Sequence, residues 1–264
     1  MTRTLGIVLV GLAAVTAIVG PWVVGADPIA QNLPLRLQGP SAAHWLGVDE
    51  LGRDILARLV VGARISLAVG CAVVGVSAAL GMAIGAVAGY AGGALDTAIG
   101  RVMDVLLAFP GILLAIALVA VLGPSLGNVV LALVTIGWVS YARLVRGQVL
   151  KVRELDYVQA ARALGAPVGR VIARHVVPAT FSAVTVQATL GMAGAILAEA
   201  SLSFLGLGVQ PPTPSWGSML DAGRSHLFEA PHLTIVPGLA IALVVLGFNF
   251  AGDALRDRLD PRSS

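Results

Sequence analysis

Charge is scarce in this chain. Only 12% of its 264 residues are Asp, Glu, Lys or Arg, roughly half the share of a soluble domain, so a solvated globule is excluded as its main architecture. Lysine occurs once, as Lys151, directly after Leu150. A phosphate-cradling GxxxxGK[ST] loop needs its lysine after glycine, so any ATP that drives this protein must be bound by another chain. Cysteine also occurs once, as Cys71 inside an apolar run. An internal disulfide is therefore excluded, and the redox compartment cannot be read. His44, His175, His226 and His232 are scattered without ligand spacing, so no metal site is expected. The net charge of +3 is no signal for nucleic acid, because the basic residues fall in loops beside apolar runs and not on one solvated face.

What the chain has in abundance is apolar length. It is 57% hydrophobic, with a mean hydropathy of +0.91, and apolar runs of about 20 residues recur, each able to cross a ~30 Å hydrocarbon layer. The expected fold is all-α and polytopic, with six transmembrane helices over residues 5–24, 65–90, 99–122, 126–145, 179–205 and 233–253. The first run could be read as a cleaved leader ending at Val24-Gly25-Ala26. It exceeds the about 7–15 residues of a leader core, so it is expected to be retained. Asp49 is a candidate N-cap for a short amphipathic helix running to about Leu59, on which Asp49, Glu50, Arg53 and Asp54 would form a solvated salt-bridge cluster. Gly81, Gly85 and Gly89 recur at every fourth position of the second span, a face that lets another helix approach closely. Pro110 is expected to kink the third span. Of the seventeen Lys and Arg residues, Arg36, Arg53, Arg58, Arg64 and Arg224 fall on one side and the other twelve on the side of the N-terminus. By the positive-inside rule both termini are cytoplasmic, and so is the 143–175 loop.

That loop contains the longest polar, basic interruption of the chain, residues 157–178, YVQAARALGAPVGRVIARHVVP. Its first part has helical composition and ends in Gly165, as a helix C-cap does, followed by Pro167. A second amphipathic piece, 168–177, runs to Pro178, where the fifth apolar span begins. On these residues alone it is either a surface helix held on anionic headgroups by Arg162, Arg170 and Arg174, or a helix made to dock on another protein.

The stretch resembles the cytoplasmic EAA loop of ABC-importer membrane subunits through Ala160, Ala161, Gly165 and Val177-Pro178. Gln159 stands where that signature has glutamate, and His175 where it has an apolar residue. The likeness continues in GVDELGRD (47–54), GARISL (62–67), RVMDVLLAFP (101–110), YARLVRGQVL (141–150), AILAEASLSFLGLGVQPPTPSWG (195–217) and GDALRDRLDPR (252–262). These segments resemble the dipeptide/oligopeptide/nickel branch of the permeases, in particular its C-type subunit. The resemblance implies a type I importer core over residues 64–264, preceded by an N-terminal helix and extracytoplasmic loop over 1–63, in a bacterial inner membrane. It implies that Tyr157, Gln159, Ala160, Ala161, Leu164, Gly165 and Pro178 form a coupling helix and its exit, seated on a cytosolic ATPase subunit. It also implies a homologous permease partner in a heterodimer, an extracytoplasmic substrate-binding protein, and ATP and Mg held by the ATPase subunits. The chain itself would then be no enzyme and hold no cofactor, and its cargo would be short peptides, with nickel chelates as the competing cargo.

Three further features are read from the residues. Glu199, in the fifth span near Ser203, is costly in a membrane and needs a partner or a wet cavity. An interhelical hydrogen bond is favoured over a cavity or gate role. Arg101 and Asp104, three apart, are expected to pair on one helix, and Asn249 with Asp253 likewise. The stiff connector 211–217 either meets a partner or forms a rigid lid with Trp216 anchored at the membrane interface. A rival from another class, an ion-coupled carrier acting alone, would need a chain of intramembrane ionisable groups, and Glu199 alone does not supply one. A membrane scaffold without transport is the third reading.

Overall fold

The computed structural model describes residues 2–259, and among these the regular structure is helical. Ten α-helices follow in order: α1 (Thr2–Val24), α2 (Ile55–Ala91), α3 (Gly93–Leu107), α4 (Gly111–Leu122), α5 (Leu126–Val152), α6 (Asp156–Ala163), α7 (Val168–Val171), α8 (Val177–Phe204), α9 (Trp216–Gly223) and α10 (His232–Leu259). Five helical stretches are long and apolar enough to cross a membrane, and the α3–α4 pair makes a sixth if its broken course counts as one span. The all-α polytopic expectation holds.

The centre of the bundle is the α2–α5 pair, and its closeness comes from glycine. A Cβ on Gly81 would lie 2.4 Å from Tyr141 Cβ, and one on Gly85 2.4 Å from the Ala142 carbonyl oxygen. On Gly89 it would meet the Arg146 carbonyl at 3.0 Å. These are backbone approaches that no larger residue permits, as expected of small residues in a bilayer, where apolar area alone gives helices no preference for one another over lipid. Around this pair, Val69, Val73, Val145, Val149 and Ile196 are fully buried.

α2 differs from expectation. It is one helix of 37 residues, about 55 Å long, so the amphipathic segment and the second span are a single rod reaching beyond the hydrocarbon. Its N-cap is Asp54, whose Oδ1 accepts from the Ala57 N–H at 2.9 Å. Asp49 instead braces the loop before the helix. Its carboxylate accepts from the backbone N–H groups of Leu51 and Arg53 and from Arg53 Nε at 2.6 Å. Arg58 Nε lies 3.3 Å from the same carboxylate. Asp49, Arg53 and Arg58 are all buried, so the cluster is an internal brace and not a solvated face. The domain boundary drawn between residues 63 and 64 falls inside α2.

Helix α1 is seated by matched small residues. Gly6 lies against the backbone of Phe250 and Ala251, Gly247 against Leu9 and Val10, and Gly20 against Val60. Arg64 lies over the Trp22 ring at 5.5 Å.

Pro110 does more than kink the third span. α3 and α4 meet at 83° across the break, because Pro110 has no N–H to give and biases Phe109 out of the helical region. Asp104 on α3 is paired with Arg143 of α5 and Asp96 with Arg146 of α5, whose Nη2 donates at 2.7 Å. The Arg101–Asp104 pair is therefore not formed: the carboxylate reaches across to a second helix. Nor does Asn249 pair with Asp253. Its Nδ2 donates to the Val245 carbonyl one turn back. Trp216 is buried at the start of α9, donating from Nε1 to the Leu59 carbonyl at 3.0 Å, so it is a clamp between α9 and α2 and not an interfacial anchor.

Gly85→Val should prevent α2 and α5 from closing, because overpacking of this kind costs about 1–3 kcal/mol or more. Gly75→Val, where nothing lies within 4 Å of the added Cβ, should be tolerated. Folded yield and thermal unfolding in detergent check this; equal behaviour of the two variants would sink the glycine argument.

Candidate functional site: the α6 helix and the adjoining cavities

α5 ends at Val152, and three residues later the chain re-enters a helix at Asp156. α6 has only eight residues, too few to be stable alone, so its order comes from its ends and one anchor. Asp156 in the first turn and Arg162 in the last complement the helix dipole. Gly165, at φ +78°, closes the helix in a Schellman arrangement. The Gly165 N–H donates to the Arg162 carbonyl at 2.9 Å and the Ala166 N–H to the Ala161 carbonyl at 3.1 Å. The left-handed conformation makes glycine the fitting residue there. Val158 is the anchor, fully buried, and joins the same core as Val152, Val171 and Val176.

The opposite face is open. Tyr157, Ala160, Ala161 and Leu164 follow the i, i+3, i+4, i+7 spacing of one helical stripe. Tyr157 is half exposed and Leu164 is 87% exposed, with Val168 and Leu155 exposed beside them. Gln159 is engaged within the chain: its Nε2 donates to the Arg153 carbonyl at 3.0 Å, tying the start of α6 to the end of α5. A glutamate could not make that bond, because an ionised carboxylate only accepts. The Tyr157 ring lies 6.1 Å from the His175 ring, so the two halves of the loop touch.

The exit from the loop is a π-helical turn, Ile172–Val176, in which the Val177 N–H donates to the Ile172 carbonyl five residues back. Pro178 follows. It has no N–H, and its ring would crowd the carbonyl four residues earlier in a regular helix; the wider π turn accommodates it. Residues 168–204 thus form one continuous span, where the sequence suggested two pieces divided at Pro178. The buried Val158, the Gln159 tether and the π turn have no signal in local spacing. Only the exposed apolar pair Leu155 and Val168, flanking the stripe in sequence, could have signalled a wider surface.

Glu199 and Ser203 lie at the other end of α8. Glu199 is fully buried, its Oε1 accepting from Ser203 Oγ at 2.7 Å and its Oε2 from Ser66 Oγ of α2 at 3.0 Å. Both oxygens are used within the chain, as the interhelical reading expects. A cavity of about 230 Å³ lies between α2, α4, α5 and α8, with Ala195 and Ala198 on its wall and Glu199 absent from it. Ser203 lines a separate pocket of about 310 Å³ with Glu50, Arg53, Arg58 and Gln210. A wider cavity of about 490 Å³ lies towards Arg256, between α5, α8 and α10.

Comparison with known proteins identifies the family to which this arrangement belongs. Residues 81–264 match the family described as binding-protein-dependent transport system inner membrane component. The chain belongs to this family of ABC-importer permeases. It is 46% identical, over 97% of its length and 84% of the relative's, to the dipeptide transport system permease protein DppC of Alkalihalophilus pseudofirmus. It is 48% identical, over 99% of its length and 86% of the relative's, to the glutathione transport system permease protein GsiD of Shigella dysenteriae and of Escherichia coli O157:H7. Such permeases are non-enzymatic, multi-pass membrane components of transporters, which removes the readings as a carrier acting alone and as a scaffold.

Replacing Glu199 separates its charge from its hydrogen bonds. In this permease Glu199→Gln retains an acceptor and a donor for the two serines and should leave the unfolding temperature nearly unchanged. Glu199→Leu orphans Ser66 and Ser203, at about 1–3 kcal/mol for each buried group, and should lower it. Thermal unfolding in detergent is the readout; a large loss with Gln would instead assign the charge itself a role.

Proposed function

We propose that this permease is one half of the membrane channel of an ATP-driven importer of short peptides, and that α6 transmits the movement of a separate ATPase subunit. The observation that carries this is the open stripe of Tyr157, Ala160, Ala161 and Leu164 on a helix whose other face is locked by Val158. Small residues at its centre let a groove close over it, and Leu164 offers a large apolar side chain to fill a pocket. The Gln159 tether links α6 to α5, and the π turn joins the loop to α8. A push on α6 is thus delivered to two spans at once.

In this reading ATP and Mg are held by the partner ATPases, since the single lysine of the chain is not in a phosphate loop. A homologous permease completes the channel, and a binding protein delivers cargo from the outside. Both termini and α6 face the cytoplasm, by the excess of arginine on that side. The cargo assignment is supported by relatives named for dipeptide and glutathione transport, the latter itself a short peptide.

The test is reconstitution with the ATPase and permease chains encoded beside it, in liposomes, with dipeptides to hexapeptides and a nickel chelate supplied in turn with the binding protein. Peptides should stimulate ATP hydrolysis and uptake. Leu164→Asp, at an exposed position where folding should not suffer, should lower stimulated hydrolysis about tenfold or more with the membrane subunits still assembled. Unchanged hydrolysis would remove α6 from the coupling path, and stimulation by the chelate alone would change the cargo.

A further inference from the structure

The cavity between α2, α4, α5 and α8 contains two polar groups that the fold leaves without partners. Ser77 Oγ and Tyr141 Oη are buried and accept or donate no hydrogen bond, although the residues are 1% and 4% exposed. Hydroxyls elsewhere on these helices do not behave so. Thr135, Thr185, Thr189 and Ser201 each donate to the carbonyl four residues back, at 2.7 to 2.9 Å. That bond is open to a serine in a helix, so an unpartnered Ser77 points to a group held for something else.

Each hydroxyl is approached closely by a glycine, where any larger residue would collide with it. A Cβ on Gly137 would lie 2.6 Å from Ser77 Oγ, and one on Gly191 would lie 2.5 Å from Tyr141 Oη. Both glycines line the cavity, and so does Gln187, whose carboxamide makes no hydrogen bond among the described residues. The remaining wall is apolar, with Val73, Ile112 and Ile136, apart from Ser140, whose hydroxyl donates to the Gly137 carbonyl at 2.9 Å, and it carries no charged side chain. Gln187 also lines the wider cavity towards Arg256, so the two spaces share it as a common wall.

We propose that this cavity is a binding site for the uncharged amide backbone of a passing peptide, and that Ser77, Tyr141 and Gln187 supply its hydrogen bonds. Hydroxyls and a carboxamide each donate and accept, as a peptide bond does. An unpaired charge in this wall would be strongly disfavoured, so the site reads the backbone common to all peptides and leaves their charged ends to other surfaces. Gln187 hands the chain from the inner cavity to the wider one. The inference rests on the peptide reading above and adds the residues of this subunit that touch the cargo.

The experiment uses the full complex in liposomes with hexa-alanine as the probe, whose central amides lie away from its charged ends. Tyr141→Phe and Gln187→Leu should each lower the maximal uptake rate about three- to tenfold, the weight of one neutral hydrogen bond, with complex yield unchanged. In a Cys71→Ser background, a cysteine introduced by Ser140→Cys on the cavity wall should react with a water-soluble thiol reagent and be protected by hexa-alanine. Normal uptake by both variants overturns the inference, as does a cysteine left unprotected while the wild-type complex transports. If the wild-type complex moves no peptide at all, the peptide reading itself falls, and this site with it.

Discussion

The closeness of α2 and α5 is the constraint on which the rest of the bundle depends. Gly81 and Gly85 put the backbone of α2 against Tyr141 and Ala142 of α5 with no side chain between. In a bilayer, apolar area does not draw helices together, because lipid tails are as apolar as leucine, so packing fit has to do it. The same contact sets where Tyr141 stands and where the arginines that follow it on α5 emerge. Arg143 and Arg146 then reach Asp104 and Asp96 on α3, and Arg153 donates from Nη1 to the Gly89 carbonyl at the end of α2. One close approach therefore positions the cavity wall, the α3 brace and the entrance to α6.

The α6 loop shows how a helix too short to be stable by itself is made rigid. It has no side-chain N-cap. Its order comes from a glycine closure at one end, an amide tether at the other and one buried valine between. Between them they hold the helix while Ala160, Ala161 and Leu164 stay open and Tyr157 touches only the second half of the loop, through His175. The π turn before Pro178 has a similar logic: a residue that cannot donate is placed where the helix has already widened, and the loop and α8 remain mechanically continuous.

Two buried charged groups keep their place through partners brought in from elsewhere in the chain. Glu199 survives in a span because two serines occupy its oxygens. The Asp49–Arg53–Arg58 brace survives burial because backbone N–H groups and two guanidinium groups share one carboxylate. Local spacing shows the neighbours Asp49–Arg53 and Glu199–Ser203, but not the partners Arg58 and Ser66 or the burial of either group. Likewise Arg101 and Asp104, ideal neighbours on a helix, do not pair: Arg143, from a helix packed alongside, takes the carboxylate.

The sequence by itself determined the approximate placement of the apolar helices, the glycine face of α2, a bend at Pro110, and the short helix carrying Ala160 and Ala161 with its closure at Gly165. These are properties of composition and short-range spacing, and the bilayer enforces them by demanding long apolar segments with internally satisfied backbones. It also made the family legible through long motifs in order. Only the tertiary structure decided that Asp54 and not Asp49 caps α2, that Trp216 clamps α9 to α2, that Gln159 ties α6 to α5, and that Ser77 and Tyr141 are left open beside Gly137 and Gly191. In each case the deciding partner is brought in by packing or by a chain turn that local spacing does not encode. A side chain's hydrogen bonds follow from which groups are brought within about 3 Å, and that is settled by how the helices pack.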